Sequence, residues 1–180
     1  MGGRAEMSSH FAVTVIGQDR PGIVAAATRT LYECGCNLED VTSTILRGHF
    51  SMTMIVTSPT MSAGELESAL RATSEGSDLL VAVRSVVDAD VHVVAPTHMV
   101  SVYGSDRPGI VYAVTDLLAK ADANITDLTS RIIGSDDQPV YALMLEVALP
   151  DRSVVETELS KLRSELGVDV SIHAIEPDLL

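Results

Sequence analysis

Gly17-Gln18-Asp19-Arg20-Pro21-Gly22-Ile23-Val24 reads GQDRPGIV, and 87 residues later Gly104–Val111 reads GSDRPGIV. So close a return makes internal duplication the first hypothesis to test. Sliding the chain by that offset lays Val13–Leu46 over Val100–Ile133, with 17 of 34 positions identical. Asn37 then meets Asn124, Asp40 meets Asp127, and Thr42-Ser43 meets Thr129-Ser130. Further on, Phe50–Pro59 matches Tyr141–Pro150 at an offset of 91, so the second copy holds four extra residues around Gly134–Pro139. The chain is one unit written twice.

Within each copy the periodicity sets the element order. Phe11–Ile16 is a short β-rich run ended by Gly17, which predicts a strand. Ile23, Ala27, Leu31 and Cys34 then recur at helical spacing, as do Ile110, Val114, Leu118 and Ala121. Pro21 and Pro108 fall where a first helical turn is expected, with Asp19 and Asp106 in range to cap it and Gly35 as its stop. Leu38–Leu46 and Ile125–Ile133 are β-branched and extended. Phe50, Met52, Met54 and Val56 alternate with polar residues, and the short link Arg47–His49 makes the two runs a hairpin. Ser62 with Glu65 predicts a capping box on a second helix; in the other copy Gly167 ends a helix marked by Val155, Leu159, Leu162 and Leu166. Leu79–Val87 and Val168–Ile175 close the units. The fold class is α+β: two tandem ferredoxin-like βαββαβ domains, each an antiparallel sheet with its helices on one face. We place them at 10–88 and 97–178, with 89–96 as linker and Pro96 as its punctuation.

Composition removes several classes of function. With 180 residues, 46% of them hydrophobic, there is material for a sizeable core. Twelve Lys and Arg stand against 25 Asp and Glu, a net charge of −13 that repels phosphate backbones. The first copy carries −4 and the second −8, so no basic half hides in the average. Direct nucleic-acid binding and docking on an anionic membrane are both disfavoured. Cys34 and Cys36 cannot build a disulfide framework, no apolar run approaches 18 residues, and Met1–His10 lacks the apolar stretch of a signal peptide. A cytoplasmic location is expected.

The duplicated loop is where chemistry concentrates. A strand-to-helix turn presents free N–H groups and the positive end of the helix dipole, which suit a carboxylate. Asp19 and Asp106 set a negative group beside that positive one, and Gly22 and Gly109 let a ligand approach the backbone. Adjacent charges of opposite sign match a zwitterion, carboxylate to the helix and ammonium to the Asp. Asn37 and Asn124 open the second strand, expected to run alongside the loop, and their amides offer both donor and acceptor. A free amino acid is the expected ligand. The bland alternative makes Asp19 a helix cap, Arg20 a solvated side chain and the glycines mere turn formers.

DRPGIV, a helix, then CGCNLEDVTSTIL together resemble the ACT domain, and the tandem arrangement resembles the glycine cleavage system transcriptional repressor group; the likeness covers nearly all of residues 10–178. It implies a non-enzymatic amino-acid sensor whose sheets pair side by side and hold ligand at the interface. It also implies action on a partner protein, in transcriptional control of glycine metabolism or as the sensing subunit of an amino-acid metabolic enzyme. By the family pattern Asp19, Pro21, Gly22, Ile23 and Asn37 line one site, and Asp106, Pro108, Gly109, Ile110 and Asn124 the other. Arg20 and Arg107 belong to the same loops and count among the candidates. Two free sheet edges make a homodimer an additional expectation.

Other signals point elsewhere or nowhere. No G-x-S-x-G, G-x-x-x-x-G-K-[ST], H-E-x-x-H or G-x-G-x-x-G is present, and no catalytic residue or cofactor is expected. Cys34-Gly35-Cys36 faces Ala121 and Ala123 in the copy, so small size is what those positions want. His10, His49, His92, His98 and His173 lack ligand spacing, and no metal site is expected. Ser135-Asp136-Asp137 in the longer hairpin reads as a hydrated run.

Overall fold

Phe11, Val13 and Val15 point to one side of β1 (Ser9–Gln18), and that alternation decides where the core lies. It is followed by α1 (Ile23–Glu33), β2 (Asn37–Leu46), β3 (His49–Ser58), α2 (Ala63–Ala72) and β4 (Leu80–Val86). The second copy repeats this as β5 (His98–Gly104), α3 (Ile110–Lys120), β6 (Asn124–Ser135), β7 (Gln138–Ala148), α4 (Arg152–Leu166) and β8 (Asp169–Ala174). The computed structural model describes residues 8–73, 79–86, 94–135 and 137–175. Contacts divide the chain into Met1–Val91 and His92–Leu180. The N-terminal seven residues, Val87, most of the expected linker with His92, and Asp136 lie outside the described residues.

Each unit is a four-stranded antiparallel sheet, ordered β2-β3-β1-β4 and β6-β7-β5-β8. In the first, Phe50, Met52, Met54 and Val56 of β3 join Val13 and Val15, with Ile23, Leu31, Leu66 and Leu70 from both helices closing over them. In the second, Val100, Val102, Leu143 and Leu145 meet Ile110, Leu118, Val155 and Leu159. Both helices of a unit therefore cover the same face. The first strand runs past its hydrophobic pattern: β1 is expected over Phe11–Ile16 but extends to Ser9 and Gln18, because polar residues complete the ladder to Ser58 and His49. Met52 and Met54 are core.

The turns explain the offset between the copies. Arg47 and Gly48 both have positive φ, 49° and 81°, as a two-residue hairpin turn of twist-matching type requires. In the second copy the ladder runs two rungs further, Gly134 to Pro139 and Ser135 to Gln138, which accommodates the four inserted residues. The capping box is present: Ser62 Oγ accepts from the Glu65 N–H and the Glu65 carboxylate accepts from the Ser62 N–H, at 3.3 and 2.9 Å. The Ser62 hydroxyl, donating to the Glu65 carboxylate at 2.6 Å, and then the Ser62 N–H hold that carboxyl below its usual range, so the box contributes above that range and is lost as acid protonates it.

At the end of α1, Gly35 sits at φ 68°, while Cys36 N–H bonds Leu31 O and Gly35 N–H bonds Tyr32 O. The matching residue after α3 is Asp122, held at φ 54° without glycine's freedom. We expect Asp122→Gly to raise stability by about 0.5–1 kcal/mol, the left-handed strain outweighing glycine's entropy cost. A urea titration measures this, and an unchanged or lower midpoint refutes it.

Candidate functional site

The Asp-Arg-Pro-Gly loop is built by a turn rather than by a helix start. Arg20–Ile23 is a β-turn in which Ile23 N–H reaches Arg20 O at 3.4 Å, Pro21 fixes the first central position, and Gly22 takes φ 90°, ψ −9°. That is a type II turn, whose second central residue must have positive φ. Gly109 repeats it at φ 97°, ψ −8°. Pro21 thus precedes the helix instead of opening it, and Gly22, not Asp19, is the cap residue. A Cβ on Gly22 would meet nothing within 4 Å, so the backbone alone demands glycine there and the space in front stays open. Gly22→Ala should cost about 1–2 kcal/mol through left-handed strain, read from the denaturation midpoint; no cost would mean that the turn relaxes into another type.

This turn leaves Asp19 without a structural duty. Its N–H is tied to Gly48 O at 2.9 Å, which pins the loop to the β2–β3 hairpin, but its carboxylate makes no hydrogen bond or ion pair among the described residues. No side chain caps α1 or α3, and the Asp106 carboxylate is equally unpartnered. The expectation that these acids cap their helices is therefore corrected. By contrast Asp151 does cap α4, accepting from Ser153 N–H at 2.9 Å. Ala26 N–H bonds back to Gly22 O, so Val24 and Ala25 present N–H groups with no backbone partner, beside the dipole's positive end.

Between this loop and β2 lies an open cleft of about 610 Å³, lined by Asp19, Arg20, Gly22–Ala25, Ser43, Thr44, Ile45 and Phe50. Ser43, Ile45 and Phe50 lie on the helix-covered side of the sheet, Ser43 and Ile45 on its edge strand and Phe50 on the strand beside it. In the second unit Arg107 donates to Leu166 O at 3.5 Å, so there the arginine leans on the end of α4.

Asn37 and Asn124 are not beside their own loops. Asn37 is level with Thr57 and His10, whereas Asp19 follows Gln18 at the other end of β1, so eight residues of strand, about 27 Å, separate them. Asn124 pairs with Ala148, likewise at the end of β7 remote from Gly104. The expected adjacency within one unit is corrected: the second strand starts far from the loop and only returns to it at Ser43–Ile45. Ser43, Ile45 and Phe50 are cleft residues that the sequence reading had not assigned to the site; Ser43 and Ile45 were visible as identities between the copies.

A second groove of about 540 Å³ runs between α3 and α4, floored by Ala113, Leu117 and Leu162. Both of its lysines are paired, Lys120 with Asp116 at 2.8 Å and Lys161 with Glu158 at 2.5 Å, which leaves Glu165 as a carboxylate with no free cation or helix N-terminus beside it, among the described residues, to match a zwitterion. Cys34 and Cys36 pack partly against the first core, and burial pushes the Cys36 thiol up. Among the described residues no three His, Cys, Asp or Glu gather as metal ligands, and no helix is long and apolar enough to cross a membrane.

The ACT domain profile matches residues 9–84 and again 97–173. The chain belongs to the ACT domain family. Among curated relatives, this ACT protein is 28% identical to the glycine cleavage system transcriptional repressor of Escherichia coli, over 93% of its own length and 92% of that protein. It is 30% identical over 168 residues to a phosphoserine phosphatase of Mycobacterium tuberculosis, but spans only 40% of that enzyme. The crystal structure of an unknown protein from Galdieria sulphuraria superposes with a TM-score of 0.80 at 28% identity, covering 94% of this chain and 99% of that one.

Proposed function

We propose that this tandem ACT protein is a non-enzymatic regulator that binds a free amino acid at each Asp-Arg-Pro-Gly loop and passes occupancy to a protein partner. The observation that carries the reading is the pair of carboxylates, Asp19 and Asp106, without a partner among the described residues and set in matching turns beside open helix N-termini. A ligand ammonium satisfies the Asp, and its carboxylate meets the Val24 and Ala25 N–H groups or their counterparts at Val111 and Tyr112. Among the described residues no histidine lines the first cleft beside the Ser43 and Thr44 hydroxyls, and its groups are of the kind that hold a zwitterion.

The edges β2 and β6 support association. All ten residues of β2 are exposed, with Val41 at 48%, Ile45 at 56% and Leu46 at 67%, on a strand whose outer backbone edge is unpaired. A neighbouring ACT edge from a second copy of the chain would cover that surface. It would also bring an asparagine such as Asn37 within reach of a loop that its own unit denies it. Ligand that favours one arrangement of the edges then shifts the population that the partner sees.

Relation to the repressor favours a transcription regulator as partner, in the control of glycine metabolism. The phosphatase relation carries a second reading, a sensing subunit of an amino-acid metabolic enzyme, because ACT sequence there belongs to a longer catalytic protein. Under either reading the protein is cytoplasmic, and contacts neither DNA nor membrane directly. A thermal-shift screen over the common amino acids tests ligand binding: a saturable rise in midpoint with at least one is expected. Flat midpoints at millimolar concentrations across the whole set would overturn the proposal.

A further inference from the structure

We infer that the two loop sites are selective for different amino acids, the first for an aliphatic side chain and the second for a short neutral side chain bearing a hydroxyl. This rests on reading the loops as amino-acid sites and adds to it what each would prefer. Of the ten residues lining the first cleft, seven recur unchanged at the matching positions of the second unit, and three differ. Ala25 becomes Tyr112, Thr44 becomes Arg131 and Phe50 becomes Tyr141.

Two of those changes act elsewhere. Tyr112 lines the groove between α3 and α4. Arg131 pairs with Ala142, on the sheet face turned away from the helices. The third change is at the site. Phe50 lies across from Gly17 and Ile45, and Tyr141 across from Gly104 and Ile132, so the two rings stand at the same rung, next to the last strand residue before the loop. Phe50 is buried, whereas Tyr141 is half-buried. Its hydroxyl has no hydrogen-bond partner among the described residues, although the ring packs against the core. A phenol that keeps its ring in the core and its polar tip unsatisfied is available to a ligand's side chain, as donor or acceptor.

Ser43 recurs as Ser130 and so does not distinguish the sites, and Thr44 is level with Ser51 on the other face of the sheet; the rest of the first cleft's wall is Ile23, Val24, Ile45 and the Phe50 ring, so a hydroxyl gains nothing from the floor there. In the second, residues 97–180 carry six cations against fourteen anions, and that field disfavours an acidic side chain over a neutral hydroxyl. One neutral hydrogen bond corresponds to roughly threefold to tenfold in affinity.

The experiment is titration calorimetry of the full chain with L-serine and L-alanine, one site silenced at a time. In Asp19→Asn, which leaves the second site open, serine should bind roughly threefold to tenfold tighter than alanine, and adding Tyr141→Phe should abolish the difference. In Asp106→Asn the two should bind alike, and adding Phe50→Tyr should create a serine preference. Circular dichroism checks that Phe50→Tyr folds; if it does not, the Tyr141→Phe arm decides alone. Binding with a serine-to-alanine ratio that Tyr141→Phe leaves unchanged overturns this inference while sparing the loop sites. No heat with any common amino acid in the unsubstituted chain overturns both.

Discussion

Asp19→Asn combined with Asp106→Asn should weaken amino-acid binding by roughly 10-fold to 150-fold while the unfolding midpoint stays where it was. Asparagine keeps the size and one acceptor oxygen but loses the charge, and a hydrogen bond to a charged group contributes about 1.5–3 kcal/mol. Stability is untouched because neither carboxylate has a partner among the described residues, and the helix caps are Gly22 and Gly109. An alanine pair, Asp19→Ala with Asp106→Ala, separates a ligand role from a structural one. Were the acids hidden caps, alanine would cost about 1 kcal/mol per site and leave affinity unchanged, whereas asparagine caps as well as aspartate and would not reveal it. Calorimetry and a denaturation curve on one preparation suffice, and undiminished affinity in the double variant would remove these aspartates from the site.

Much of this was legible beforehand because the copies check each other. An identity such as Ser43 with Ser130, on an edge strand where packing demands little, is a signal that composition alone could not supply. The capping box at Ser62 and the stop at Gly167 were readable because their chemistry is local, settled within a few residues. What misled was distance. Asn37 opens the strand after the helix, and nothing local says that this strand begins at the far end of the sheet; only the register through Thr57 and His10 shows it. The Asp-to-helix spacing was ambiguous for a related reason. An Asp three residues before a glycine can cap a helix or overhang a turn, and the φ of Gly22 decides between them. That Phe50 borders a cleft depends on where α1 lies over the sheet, which helical periodicity does not encode.

Leu143→Ala should remove about 2–5 kcal/mol from the second unit, the cost of a fully buried leucine whose cavity only partly collapses. Leu143 is 0% exposed, between Val102 on β5 and Ser130 on β6, and Met52 holds the same rung in the first unit. Domains of this size have only about 5–15 kcal/mol in total, so the loss is a large fraction. The loop hangs on that sheet, since β5 ends at Gly104 and the turn follows directly. Weakened binding in this variant is therefore expected for a reason opposite to that in Asp106→Asn: fewer molecules are folded, and each folded one binds as before. Mass action tells the two apart. Amino acid at a hundred times its dissociation constant returns about 2.7 kcal/mol, so the urea midpoint of Leu143→Ala should climb by the full amount, while the double aspartate variant gains only about 0.3–1.4 kcal/mol at the same concentration. A midpoint within about half a kcal/mol of the parent would mean the site collapses without a cavity, and that β7 is not the strut on which the second loop rests.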